Sequence, residues 1–405
     1  MKYLVLLGDG MADYPLEELG GKTPLMAART PHMDFLVKNG HLGRAATIPP
    51  GLAPGSDVAN LAVMGYDPQK YFTGRAPLEA ASLRLKLAPE DAAFRCNLVT
   101  LRQEGNAIIM DDFSAGHIGN NDSHLLIAAI HEALSNERIA FFPGVSYRHV
   151  MIWKSGMVGM ATTPPHDISG QAIGPHLPKG DGADILLDLM QRSRSVLGNH
   201  PVNQQRKAAG KKPATSIWLW GQGKSLTIPS FRQKYGCSGA VISAVDLIKG
   251  IGIAAGLDAI DVPGVTGFLD TNYVGKAEYA LQALKEKDFV YVHVEAPDEA
   301  SHNGSIRDKI QAIEDFDEKV VGTVLANAAA IADLRIMVLP DHATPICTMT
   351  HASDPIPFII YPSIPGMNGG GFAVYNEQEA DSSDLYLASG HQLMDLFIHG
   401  KKPAQ

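Results

Sequence analysis

Apolar runs of five or six residues recur near both ends of this chain, at 3–7, 289–294, 335–339 and 357–361, each followed by glycine, proline or polar residues. They lack polar alternation, which is the pattern of strands buried on both faces of a parallel sheet. Helical spacing predicts helices over 30–39, 56–63, 182–197, 241–255, 276–287, 306–330 and 393–398. Strands alternating with helices predict an α/β fold with a mostly parallel sheet sandwiched by helices. The middle differs. Short mixed strands at 94–101, 108–111, 149–153 and 216–220 are broken by Gly- and Pro-rich loops at 162–165 and 174–182. This texture predicts an inserted α+β domain at 78–229, interrupting a discontinuous core of residues 1–77 and 230–405.

Composition sharpens the picture. Apolar residues make up 45% of the chain and charged residues 19%, enough to build a large core and too apolar for a disordered chain. The net charge of −9 argues against nucleic-acid or membrane-surface partners, while leaving room for a local basic pocket that takes a small anion. Cys96, Cys237 and Cys347 are odd in number and far apart, so they predict buried thiols in a reducing compartment. The N-terminus reads as a strand entering Gly-Asp-Gly rather than as a secretory signal. The best membrane candidate is interrupted by Asp246, Lys249 and Asp258, and the expectation is a cytoplasmic protein.

The chemistry concentrates where strands end. Asp298 and His302 are four apart, so a helix starting there puts carboxylate and imidazole on one face. Asp341 and His342 directly follow the run 335–339, at the carboxyl end where open α/β sheets build their sites. His351 lies nine residues beyond His342. A single histidine of this kind is more often a surface or core residue than a ligand. The repeated placement at strand ends weighs the set toward a metal site, and mixed carboxylate–imidazole donors suit Mn²⁺ or Zn²⁺ better than Ca²⁺. Asp9 sits between Gly8 and Gly10 at the end of the first run. Ser56 opens a predicted helix, where it reads either as an N-cap or as a nucleophile activated by a metal.

Other patterns are set aside. Gly250, Gly252 and Gly256 follow no predicted strand and read as helix-packing positions. Gly221, Gly223, Lys224 and Ser225 fail the spacing of a phosphate loop. Arg206-Lys207 with Lys211-Lys212 reads as a solvated face, and Trp218 and Trp220 as core or interface residues.

Taken in order, Gly8-Asp9-Gly10-Met11-Ala12-Asp13, Thr23-Pro24-Leu25, Pro54-Gly55-Ser56-Asp57-Val58-Ala59-Asn60, Gly74-Arg75-Ala76-Pro77-Leu78-Glu79-Ala80, Asp298-Glu299-Ala300-Ser301-His302 and Pro340-Asp341-His342 form an ordered set. The set resembles the archaeal-type branch of cofactor-independent phosphoglycerate mutases, in the alkaline phosphatase superfamily. The resemblance implies an alkaline-phosphatase-like core and two divalent ions, Mn²⁺ first, with Mg²⁺, Zn²⁺ or Co²⁺ as alternatives. It implies Asp298, His302 and His351 on one ion, and Asp9, Ser56, Asp341 and His342 on the other. Ser56 would take the phosphate of a phosphoglycerate and return it to the other hydroxyl, under a lid formed by the inserted domain. His117 resembles a substrate-contacting histidine of that family. Arg148, His149, His166 and Asp167 are further candidates, and Arg75 offers a guanidinium fork for carboxylate or phosphate. A surface salt bridge is the competing reading for each of these. Most of the phosphate-binding arginines and the lysine of the bacterial branch have no match here, and Lys224 is the one residue near such a place. The alternatives are a homoserine-kinase-like phosphotransferase, a metal-dependent phosphatase or sulfatase, and an inactive metal-stabilised binding module. Oligomeric state is not legible.

Overall fold

The computed structural model describes residues 1–367 and 370–400. Contacts divide the chain into two compact units, Met1–Phe72 with Ile228–Gln405, and Thr73–Thr227. The first unit is built on an eight-stranded sheet. Four of its strands carry the argument: β1 (Lys2–Gly8), β2 (Phe289–Val294), β3 (Leu334–Leu339) and β4 (Ile356–Tyr361). Across the sheet the order is Tyr386–Leu387, His41–Ala45, β4, β3, β1, β2, Gly239–Ile242 and Asp258–Ala259. Pairing is parallel except where β4 runs against both β3 and His41–Ala45. Leu4 to Leu7 and every residue of β2 are fully buried, as unbroken apolar runs require when helices cover both faces.

The region expected as one helix over 241–255 is instead a strand, Gly239–Ile242, followed by the helix Asp246–Ala254. The β-branched pair Val241-Ile242 registers against Tyr291 and Val292 of β2, and Ser243 ends the strand. Gly252 lets the helix pack on that strand, since a Cβ there would meet Val241 Cγ1 at 2.5 Å. The segment expected as a helix over 306–330 is helical with a π turn at Phe316–Val321. The turn carries buried Asp317, which accepts from the backbone N–H groups of His32 and Met33 and so caps the helix Pro31–Lys38.

The second unit is an antiparallel five-stranded sheet centred on the long strand Ala92–Glu104, which pairs with Ala107–Asp112, Arg148–Trp153 and Ser216–Lys224. Phe94, Trp153 and Trp218 are buried in one core with residues of the helices Asn120–Leu134 and Ala183–Gly198. Trp218 and Trp220 are therefore core residues. Arg206 does not lie on a solvated face: it is buried, donating to Asp122, the Ala115 carbonyl and the Lys212 carbonyl. No described helix is long and apolar enough to cross a membrane.

Candidate active site

Three parallel strands deliver the acidic residues to one end of the first unit's sheet. β1 ends at Gly8, and Asp9 follows with its side chain almost wholly buried. Gly10 adopts φ +61°, and a Cβ there would lie 2.5 Å from Asp298 Oδ1 and 2.6 Å from Thr344 Oγ1. Only glycine fits this approach. β2 leads into α2 (Ala296–His302), where the one-turn spacing of Asp298 and His302 sets His302 Nε2 3.1 Å from Asp298 Oδ2. β3 ends at Leu339, and Asp341 and His342 follow, both fully buried. A bridge between Ala343 and Ala352 folds the next loop back, so the His351 ring comes within 4.2 Å of the His342 ring, centre to centre. His302 Nε2 and His351 Nε2 face each other at 3.0 Å.

Ser56 is the first residue of α1 (Ser56–Val63), and the cap position belongs to Gly55. The serine hydroxyl makes no capping bond. It lies 3.4 Å from Asp9 Oδ2 and 3.1 Å from His342 Nε2. The residues read from the sequence as ligands, Asp9, Ser56, Asp298, His302, Asp341, His342 and His351, are thus gathered by direct contacts into one cluster.

Hydrogen bonds around the cluster orient it. The Thr344 hydroxyl donates to Asp298 Oδ1 at 2.6 Å, so toward His342 Nδ1, 3.1 Å away, it can only accept. Nδ1 of His342 therefore carries the proton, and the Nε2 lone pair faces Ser56. Asp341 Oδ1 accepts from the Gly10 and His342 backbone, and Oδ2 from Asn60 Nδ2 at 2.7 Å. Asn60, one helical turn beyond Ser56, is held in turn by the Tyr291 hydroxyl at 2.6 Å. Burial, followed by the nearby charges of Asp341, Asp298 and Glu295, lifts the Asp9 carboxyl well above its usual range. Burial also acts on Asp298, but hydrogen bonds from His302 and His351 outweigh it and hold that carboxyl well below its usual range. His302 is pushed up to about 9, first by its bond to Asp298.

A metal ion suits this donor set. Asp9 Oδ1 is buried and has no hydrogen-bond partner among the described residues. Donor atoms of Asp298, His342 and His351 lie within 4.8 Å of one another, as do those of Asp9, His293 and Asp341, and those of Asp9, Glu295 and Asp298. Sequence reading missed His293, Glu295, Asn60, Tyr291 and Thr344. The signals were faint: a histidine inside an apolar strand, and an asparagine four residues after the serine.

The candidate substrate residues fall in the second unit. The Arg95 guanidinium, which sequence reading also missed, lies over the Trp220 ring at 4.3 Å and pairs with Glu79 at 3.0 Å. Glu79 also lies 3.8 Å from Arg75. His166 packs on Trp220 and Phe113, and its Nε2 is 3.5 Å from Asp167. The ring of His117, whose backbone is left-handed at φ +47°, packs on Phe113 and Tyr147, and Arg148 lies over Tyr147. Arg75, His117, Arg148, His166 and Asp167 therefore border one basic and aromatic cluster. Burial lowers the Arg95 guanidinium to about 10, against the pull of Glu79, and Arg75 and Arg148 lower it further. His149 and Lys224 are engaged elsewhere. His149 is buried, its Nδ1 accepts from Gly144 N–H, and burial lowers its pKa to about 3. Lys224 donates to the Glu90 and Gly156 carbonyls at 2.6 and 2.7 Å.

A sequence model of the 2,3-bisphosphoglycerate-independent phosphoglycerate mutases matches residues 37–203. A probable 2,3-bisphosphoglycerate-independent phosphoglycerate mutase of Geobacter sulfurreducens is 52% identical, over 98% of this chain and 100% of its own length. A 2,3-bisphosphoglycerate-independent phosphoglycerate mutase of Methanosarcina barkeri is 50% identical, over 99% of this chain and 100% of its own. The solved cofactor-independent phosphoglycerate mutase of Thermoplasma acidophilum superposes with a TM-score of 0.67 at 27% identity, covering 98% of this chain and 99% of that one. Half of the residues are shared over essentially the whole length, and both charged clusters lie within the stretch that is shared. The chain belongs to the 2,3-bisphosphoglycerate-independent phosphoglycerate mutase family.

Proposed function

We propose that this protein interconverts 2-phosphoglycerate and 3-phosphoglycerate through a phosphoserine at Ser56, with two divalent ions, Mn²⁺ foremost, held by the first unit. The observation that carries the reading is the position of the Ser56 hydroxyl between Asp9 and His342, in contact with a cluster whose acids have an unpartnered buried oxygen. Asp298, His302 and His351 would hold one ion; Asp9, Asp341, His342 and Ser56 would hold the other. When bound, the ions lower the pKa of the serine hydroxyl and neutralise charge on the phosphoryl oxygens.

The residues of the chain do the rest. His342, with Nδ1–H committed to Thr344, presents its Nε2 lone pair on the side of Ser56. Asn60 and the Gly10 backbone fix both oxygens of Asp341. Ser56 Oγ forms a bond to phosphorus as the substrate's P–O bond breaks, and the serine proton passes to the glycerate oxygen set free. Glycerate reorients, its other hydroxyl attacks the phosphoserine, and Ser56 regains a proton. We assign recognition of the substrate's carboxylate to the basic cluster of Arg75, Arg95 and Arg148 with His166, because guanidinium forks suit a carboxylate.

The test is purified protein with Mn²⁺ and 3-phosphoglycerate, coupled through enolase and compared with ATP plus homoserine. The reading expects isomer without released phosphate. ATP-dependent O-phosphohomoserine, or free phosphate in place of isomer, would contradict it.

A further inference from the structure

His293 is a histidine in an otherwise apolar strand, fully buried beside β1 and paired with Leu7 in the sheet register. Its Nε2 lies 2.8 Å from Asp9 Oδ2, and its Nδ1 lies 3.1 Å from Ser243 Oγ. The proton positions follow from Ser243. That hydroxyl oxygen accepts from Val245 N–H at 2.9 Å, and among the described residues Nδ1 of the imidazole is the acceptor in reach of its own proton. Nδ1 of His293 is then the acceptor, and Nε2 carries the hydrogen that points at Asp9. The strand that carries the ring is itself fixed, because the His293 carbonyl accepts from the buried Lys276 ammonium at 2.9 Å and the Val294 carbonyl accepts from Asp9 N–H.

We infer that His293 is a positioning residue for the metal centre: oriented by Ser243, it donates to one oxygen of Asp9 and so aims the other, Oδ1, at an ion. The two oxygens of Asp9 differ in the way this requires, since Oδ2 accepts from His293 while Oδ1, 3.5 Å from His342 Nε2, is buried without a hydrogen-bond partner among the described residues. The rival reading makes His293 a ligand itself, because its nitrogen lies within 4.8 Å of donor atoms of Asp9 and Asp341. A protonated Nε2 has no lone pair to offer, so the tautomer set by Ser243 disfavours that reading. Holding a ligand by a hydrogen bond raises its affinity for metal, and loss of such a partner typically weakens binding about 10–100-fold.

The inference rests on the two-metal reading above, and its test separates the two. Metal-stripped full-length protein is titrated calorimetrically with MnCl₂, alongside His293→Leu, His293→Gln and Ser243→Ala, with circular dichroism as a check on folding. The wild type is expected to take up two ions. His293→Leu should bind one of them about 10–100-fold more weakly, and the other as before. His293→Gln keeps an N–H donor for Asp9 and should recover most of that loss. Ser243→Ala, the mildest change, should weaken the same ion by a smaller factor, because the imidazole is then free to take its other tautomer. Two ions bound by His293→Leu with wild-type affinity would overturn the positioning role alone, as would a His293→Gln variant no better than His293→Leu, which would make the imidazole a ligand. A wild type that takes up no Mn²⁺ would overturn the metal reading and this inference with it.

Discussion

The two units concentrate opposite charge, and by different means. In the first, Asp9, Asp298 and Asp341 are nearly wholly buried at strand ends, and the Asp9 carboxyl rises because burial and its acidic neighbours oppose ionisation. In the second, Arg95 is buried against Trp220 with Arg75 and Arg148 nearby, and Glu79 answers only part of that charge. Each cluster is answered in part by its own side chains, His302 facing Asp298 in the first and Glu79 facing Arg95 and Arg75 in the second. On the proposed reading, the first set of residues would hold cations and the second would take an anion. A phosphorylated carboxylic acid handled with divalent ions meets both demands, which is the chemistry proposed above.

The largest expected effect removes the one group that makes a covalent bond. Ser56→Ala should lower mutase turnover by roughly 10⁴-fold or more, with melting temperature and Mn²⁺ stoichiometry retained. Substantial turnover in that variant would break the assignment of the first unit. Removal of metal comes next. Chelation should abolish turnover, and Mn²⁺ should restore it. An ion present at a hundred times its dissociation constant contributes about 2.7 kcal/mol, so protein stripped by chelation of two such ions should melt roughly 6 °C lower in a calorimetric scan. Equal melting with and without chelator would mean that the acidic cluster does not need cations.

Arg75→Ala tests the other side of the comparison. It should lower kcat/KM about 10–100-fold, the worth of a charge-assisted hydrogen bond, chiefly through KM, while leaving Mn²⁺ binding unchanged. Lys224→Ala should leave KM as it is, since its ammonium is engaged by backbone carbonyls. A fall in Mn²⁺ affinity in Arg75→Ala, or a raised KM in Lys224→Ala, would blur the division of labour. The smallest effect concerns pH. The folded state keeps His149 neutral, with its pKa lowered by burial to about 3. As pH drops below the unfolded value of about 6.5, the unfolded chain takes up a proton that the folded chain refuses, and stability falls. The slope should reach about 1.4 kcal/mol per pH unit. Denaturant titrations between pH 7 and pH 5 should show this component in the wild type and lack it in His149→Leu. Equal slopes would contradict it.

The sequence made the frame of the site legible and its supports nearly invisible. β1, β2 and β3 announce themselves as unbroken apolar runs, and the acids and imidazoles that follow them stand out as polar residues at strand ends. Asp298 and His302 are readable because one helical turn links them. Asn60, Tyr291 and His293 act through contacts more than two hundred residues apart in sequence, for which no local spacing exists. The strand Gly239–Ile242 was hidden because its four residues run on through Ser243 into a helical pattern, and only pairing with β2 separates them. In the second unit, Arg95 alternates along a strand with apolar neighbours, so its charge became informative only once Trp220, Glu79 and Arg75 stood beside it. Conversely, Lys224 and His149 looked available, and the backbone groups that occupy them come from distant loops or a tight turn.

The account turns on covalent transfer through Ser56. Rapid-quench reaction of the Mn²⁺-loaded protein with ³²P-labelled 3-phosphoglycerate, followed by peptide mapping, reads that step directly. Label in the peptide containing Ser56, formed and lost at rates compatible with turnover, is the predicted result. Full turnover with label on a histidine, or with no protein-bound label at any time, would contradict it.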